Sequence, residues 1–295
     1  MSAAGAGTAA GAARLAPESP RRAALRRFMA HRTAMVGLVV VLAFIVVAVA
    51  APLVAHDSPD ATSWTAIRKA PSLAHWMGTD ENGRDVFARV VYGARASLLA
   101  GVVAVAIAAG IGVPVGLLAG FLGGVVDALI GRLVDAMLAV PFLILAIALA
   151  AFLGPSLTNA MIAIGVAAAP VFQRVTRAAA LDVSTNDYVE AARALGNPPW
   201  RVAMRHVLPN ILPPVLVQCT LAIATAIIAE ASLSFLGLGQ QPPAPSWGSM
   251  LNSAQQFLTQ APWLAIFPGA AIFLAVLSFN LVGDGLRDAL DPRRK

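Results

Sequence analysis

The sequence predicts an all-α polytopic membrane protein with about six transmembrane helices, and three observations carry that prediction. Hydrophobic residues make up 58% of the 295 residues and charged residues only 12%, half of the roughly 25% found in soluble domains. The mean hydropathy is +0.75. Uncharged runs of bilayer length recur, at 34–55, 96–126 and 136–173, where about 20 apolar residues suffice for one crossing. The net charge of +6 is read as membrane topology rather than as a nucleic-acid surface.

Residues 1–33 form an Ala-, Gly- and Arg-rich tail with no apolar period, expected to be disordered and cytoplasmic. The apolar run Ala34–Ala55 is longer than the roughly 7–15 residues of a signal-peptide core, so it reads as an uncleaved first span. Residues 56–95 read as an extracytoplasmic loop with five acidic and five basic residues. Asp80, Glu81 and Asp85 crowd together there, but without the ligand count or bidentate glutamate of a calcium loop. A solvated, locally hydrogen-bonded turn is expected instead.

Residues 96–284 form the expected core. Ala96–Val126 is a span followed by a small-residue turn at Gly120–Gly124, and its glycines allow close helix approach in lipid. Arg132 and Asp135, three apart, can pair on one helix face. Pro141 predicts a kink in the stretch Arg132–Ala148. Gly154-Pro155-Ser156 divides Ala136–Gln173 into two minimal spans joined by a tight hairpin.

Asp187–Asn210 is a polar island between apolar runs. Asp187 is placed to cap a short helix, with Glu190 completing a capping box. Gly196 suits the left-handed position after a helix end, and Asn197-Pro198-Pro199 breaks the chain. A second helix is expected from Trp200 to Val207, stopping before Pro209. The next span begins at Ile211, with Pro213 and Pro214 in its first turn. Glu230 interrupts it, and a carboxylate at mid-bilayer costs a few kcal/mol. Glu230, with Ser232 and Ser234, either lines a translocation path or holds helices together at an outer gate, the second reading being preferred. Residues 240–262 form a Pro-rich loop whose Trp247, like Trp263, suits the membrane interface. Trp263–Val282 is the last span, and 285–295 a cytoplasmic tail. Of the 21 Lys and Arg residues, 16 fall on one side of this layout, which puts both termini and the polar island in the cytoplasm.

The polar island carries a resemblance. Glu190-Ala191-Ala192, Gly196 and Leu208-Pro209 resemble the EAA loop of ABC-importer permeases. His206 stands where the general pattern has Ile, and Arg205-His206-Val207-Leu208-Pro209-Asn210 looks like the dipeptide/oligopeptide/nickel branch. Gly83-Arg84-Asp85-Val86, Glu230–Gly239 and Asn280–Pro292 look like the same branch, so that the resemblance covers about Met35 to Arg293. It implies a type I ABC-importer permease fold, with one peripheral N-terminal span and a five-span core in a bacterial inner membrane. It also implies that a loop at about 174–210, through Glu190, Ala191, Ala192, Arg193, Gly196, Arg205, His206, Leu208 and Pro209, fits a cleft on a cytoplasmic ATPase. The implied partners are a second homologous permease in a heterodimer, two ATPase subunits holding ATP and Mg2+, an extracytoplasmic substrate-binding protein and membrane lipid.

The chain's own chemistry excludes several classes. Its two lysines, Lys69 and Lys295, lie outside any phosphate-binding loop. Its four histidines lack paired metal spacing, and Cys219 is alone. No nucleophile elbow is present. A non-enzymatic transport subunit moving di- or oligopeptides is expected, without metal or cofactor of its own. Nickel chelates on the same machinery, an ion-coupled secondary transporter and a membrane scaffold are the alternatives.

Overall fold

A computed structural model describes residues 20–290. Twelve α-helices follow one another: α1 (Pro20–Ala30), α2 (Arg32–Val49), α3 (Ala51–Val54), α4 (Val86–Leu122), α5 (Gly124–Leu138), α6 (Phe142–Leu153), α7 (Leu157–Ser184), α8 (Asp187–Ala194), α9 (Pro199–Val202), α10 (Leu208–Phe235), α11 (Trp247–Ala254) and α12 (Trp263–Leu290). A π-helical turn, Ala203–Val207, joins α9 to α10. Among the described residues there is no strand, only an isolated bridge between Thr79 and Asp85.

The all-helical fold is as expected, and the span count is near the six expected. Four helical stretches are long and apolar enough to cross a membrane: Arg32–Val49, Val86–Leu122, Pro199–Phe235 and Trp263–Leu290. The pair α5 and α6 adds a fifth if taken as one span bent by 89°. Pro141, the residue preceding α6, therefore marks a near right-angle break where a kink within one helix was expected. The helix in the sixth expected place, α7, has 28 residues. It carries Asn159, Gln173, Arg174 and Arg177 and packs among α4, α6 and α10, where protein rather than lipid surrounds much of its surface.

The α4–α7 pair is the centre of the bundle. Gly112, Gly116 and Gly120 recur at every fourth position of α4. A Cβ would lie 2.5 Å from Ala169 O at Gly112, 2.5 Å from Gln173 O at Gly116, and 2.8 Å from Arg177 O at Gly120. The two backbones thus touch, which side chains larger than glycine would prevent. On the far side of α7, Ala146, Ala150, Ala160 and Ile164 continue this core toward α6.

The first span is peripheral. Val36, Val39, Leu42 and Val46 of α2 are exposed, while Gly37 lies against α12, where a Cβ would meet Ser278 O at 2.7 Å. Residues 20–30, inside the stretch read as a disordered tail, form α1, which packs on α12. His31 Nε2 approaches Asp288 Oδ2 at 3.4 Å. Residues 1–19 and 291–295 lie outside the described residues.

Several local expectations need correction. α4 begins at Val86, so the last ten residues of the presumed 56–95 loop are helical, with Asp85 as N-cap accepting from Ala88 N at 2.8 Å. Asp80 and Asp85 are buried, not solvated. Asp80 Oδ2 takes Arg84 Nε at 2.6 Å and faces Arg89 Nε at 3.5 Å, so buried charge is met by buried charge. Asp135 pairs with Arg174 at 2.5 Å instead of Arg132, and Asp127 pairs with Arg177. Both bridges fold α5 back on α7. Trp247 is fully buried, its indole donating to Val90 O at 3.0 Å and standing edge-on to Phe44. The Gly154 hairpin forms as expected. Ser156 caps α7 by accepting from Asn159 N at 3.0 Å, and Asn159 Nδ2 donates to Leu153 O and Gly154 O.

Candidate functional site

The polar island folds into a knob at one end of the bundle. Its first helix, α8, starts one residue earlier than a capping box of Asp187 and Glu190 would require. The N-cap is Asn186, with no side-chain cap. Its amide turns back and donates to Val183 O at 3.0 Å. Asp187 and Glu190 instead occupy the first turn, where acidic groups are favoured by the helix dipole.

The end of α8 is closed as the glycine predicts. Gly196 has φ +78°, and its N–H donates to Arg193 O at 2.9 Å. Asn197 Nδ2 donates to Ala192 O at 2.9 Å. The terminal carbonyls are thereby satisfied. Pro199 opens α9 in the first-turn position that lacks an N–H requirement.

The second short helix does not stop before Pro209. The π turn carries it straight into α10, and Leu208 N donates to Ala203 O, five residues back. A proline ring clashes with the carbonyl of residue i−4 in a regular helix. The wider turn relieves that clash at Pro209, and Asn210 Nδ2 donates to His206 O at 2.7 Å. Residues 199–235 consequently form one continuous rod.

The knob has two faces. Val189, Ala192, Val202 and Val207 are buried against Leu117 of α4, Ala180 of α7 and Ile211 of α10. The Arg193 guanidinium lies over the Phe121 ring, 5.0 Å from its centroid, a cation–π contact between α8 and the end of α4. The other face is open: Glu190, Ala191, Arg193, Gly196, Arg205 and Pro209 are exposed, and His206 and Leu208 half-buried. Of the nine residues singled out in sequence, only Ala192 faces inward entirely. Four neighbours were missed: Tyr188, Leu195, Trp200 and Met204 are exposed apolar groups on the same knob, with Leu195 83% accessible. Their signal was present as large apolar side chains inside a polar island.

At the opposite end, Glu230 is fully buried. Ser97 Oγ of α4 donates to Glu230 Oε2 at 3.0 Å and Ser234 Oγ donates to Oε1 at 2.6 Å. The same Ser97 Oγ accepts from Trp247 N of α11 at 3.4 Å. One carboxylate thus ties α4, α10 and α11. Ser232 does not join it; its hydroxyl donates to Ile228 O at 2.8 Å.

A separate cavity of about 350 Å³ sits at the α5–α6 break, bounded by α4, α7 and α10. Its walls are apolar apart from Gln218 and Thr225 of α10. It contains no charged side chain.

Comparison with known proteins gives the family of the chain. Residues 112–295 match the family described as binding-protein-dependent transport system inner membrane component. Residues 19–71 match the N-terminal TM domain of oligopeptide transport permease C. The chain is 47% identical over 277 residues to the dipeptide transport system permease protein DppC of Alkalihalophilus pseudofirmus, covering 94% of this chain and 91% of the relative. It is 46% identical over 271 residues to the glutathione transport system permease protein GsiD of Escherichia coli, covering 92% and 89%. Among solved structures, the inward-facing MetNI methionine ABC transporter superposes with a TM-score of 0.58 at 22% identity, covering 70% of this chain and 97% of that one. That likeness concerns the fold. Fold, family match and full-length relatives converge: this chain belongs to the inner membrane components of binding-protein-dependent transport systems, the permease subunits of ABC importers, in their oligopeptide-permease branch.

Proposed function

We propose that this chain is one of two permease subunits in an ATP-driven importer of di- or oligopeptides, with the α8–α9 knob as the element that couples it to ATPase subunits. The observation carrying this reading is the two-faced knob. Its outer face offers exposed apolar and basic side chains to a partner. Its inner face is packed on α4, α7 and α10, so a displacement of the knob must be passed to the spans. Dipeptides and glutathione, itself a small peptide, are named as the cargo of two full-length relatives.

The knob lies at the end that the distribution of basic residues places in the cytoplasm. ATP and Mg2+ belong to the partner ATPases, since this chain has no phosphate-binding loop. ATP binding closes the two ATPases, moves the docked knobs, and rocks the spans between outward and inward access. A second, homologous permease completes the path, and a binding protein delivers cargo at the end near α11. The uncharged cavity between α4, α6, α7 and α10 forms this subunit's share of the path. A wall with two neutral polar groups and no fixed charge suits cargo of varied side chains.

The test is uptake of a labelled dipeptide by proteoliposomes holding the complete transporter. Gly196→Asp places a side chain at φ +78°, which costs about 1 kcal/mol locally, and adds a charge to the docking face. Uptake is expected to fall at least about tenfold with the complex still assembled. Uptake and ATPase stimulation at the unmodified level would remove the knob from the coupling pathway.

A further inference from the structure

The segment between α3 and α4 holds a group of ligating side chains that the transport machinery does not use. Asp57 follows α3, His75 lies 18 residues on, and Asp85 is the N-cap of α4. One ligand atom from each lies within 4.8 Å of the others. Asp57 and Asp85 border a cavity of about 200 Å³ that His56, Trp76 and Phe87 also line. Trp76 rests on Phe87 with ring centroids 5.1 Å apart, giving the cavity an apolar wall.

The charges around this group are unevenly met. Asp80 and Glu81, a few residues away, are both held by Arg84. Asp85 Oδ2 accepts from Ala88 N and Oδ1 stands 3.1 Å from His75 Nδ1. Asp57 makes no hydrogen bond or ion pair among the described residues, yet its carboxylate turns toward the other two. Two carboxylates therefore converge on one imidazole with no Lys or Arg between them.

One imidazole nitrogen and two carboxylate oxygens form a mixed donor set suited to zinc and similar first-row ions, whereas Ca2+ and Mg2+ favour oxygen alone. In a tetrahedral zinc site with bonds of about 2.0–2.2 Å, ligand atoms stand about 3.4 Å apart. Asp57 is the exposed member, and its side chain is the one that would turn to close the present spread. A fourth position remains for water from the cavity.

We propose that Asp57, His75 and Asp85 bind a divalent first-row transition ion, with Zn2+ the best match. The ion clasps the chain leaving the first span to the start of α4. These three ligands come from points far apart in the chain, so binding closes a long loop and stabilises the folded state.

The full-length chain, purified in detergent and stripped with chelator, is titrated with Zn2+ against a chromophoric competitor. One ion per chain is expected, with a rise in Tm of about 4 °C or more at saturating metal. Asp57→Asn and His75→Gln each weaken binding at least about tenfold and lose the Tm rise, while their metal-free Tm stays with that of the parent. His31→Gln, at the other His–carboxylate pair, leaves binding unchanged. Substitution with Co2+ adds a readout of the histidine itself: a visible absorption band present in the parent and absent in His75→Gln. Absence of saturable binding, or equal binding by the Asp57 and His75 variants, overturns the proposal.

Discussion

At the scale of single residues, burial decides what a polar group is for. Glu230 sits in an apolar run, and its two oxygens are taken by Ser97 and Ser234. Glu230→Gln keeps an acceptor and a shape for those hydroxyls, so Tm and uptake are expected to stay near the parent values. Glu230→Ala removes the acceptor of both serine hydroxyls and should cost about 2 kcal/mol or more, read as a fall in Tm. A variant Glu230→Gln with parental Tm but strongly altered uptake would return this carboxylate to the solute path. The sequence showed that Glu230 had to meet protein or water. It did not show which, because Ser97 lies 133 positions away and no local pattern encodes that pairing. The same blindness applies to Asp135, whose partner Arg174 is 39 residues distant; spacing on one helix suggested the nearer Arg132.

At the scale of elements, close helix approach and local chain breaks are what matter. Gly116 faces the backbone of α7, whereas Gly110 has nothing within 4 Å of its would-be Cβ. Gly116→Ala should therefore destabilise by about 1–3 kcal/mol, while Gly110→Ala should be neutral or slightly stabilising. Equal effects in thermal unfolding would mean the α4–α7 seam is looser than described. The knob gives a second contrast. Leu195 is exposed, so Leu195→Asp should leave Tm unchanged yet reduce recovery of ATPase subunits with the tagged chain. The two short helices and Gly196 were legible because Gly and Pro act locally on the backbone. The run through Pro209 was not, since the π turn that admits it depends on α10 being held from Ile211 onward. Trp247 misled for a related reason: an indole suits an interface in general, but this one is claimed by Val90 O and Phe44.

At the scale of the whole molecule, topology is the testable quantity. Leu73 and Leu195 are both strongly exposed and lie at opposite ends of the bundle. In a Cys219→Ser background, Leu73→Cys should react with a membrane-impermeant maleimide in intact cells. Leu195→Cys should react only in inverted vesicles. Labelling of both from one side would break the proposed orientation. Fold class and family-bearing motifs were readable along the chain because apolar length and turn chemistry are one-dimensional signals. The 89° break between α5 and α6 is not one of them. It depends on α7 lying between the arms and anchoring α5 through Arg174 and Arg177.

The unbroken helical course from Pro199 to Phe235 has a mechanical implication. At 1.5 Å per residue, these 37 residues make a beam about 55 Å long. If it tilts by about 5° around its middle, each tip travels about 2.4 Å, and the two tips travel in opposite senses. Such a see-saw needs no relay of side chains between the two membrane faces. Opening at one face and sealing at the other become a single movement, and a solute would never meet both doors ajar.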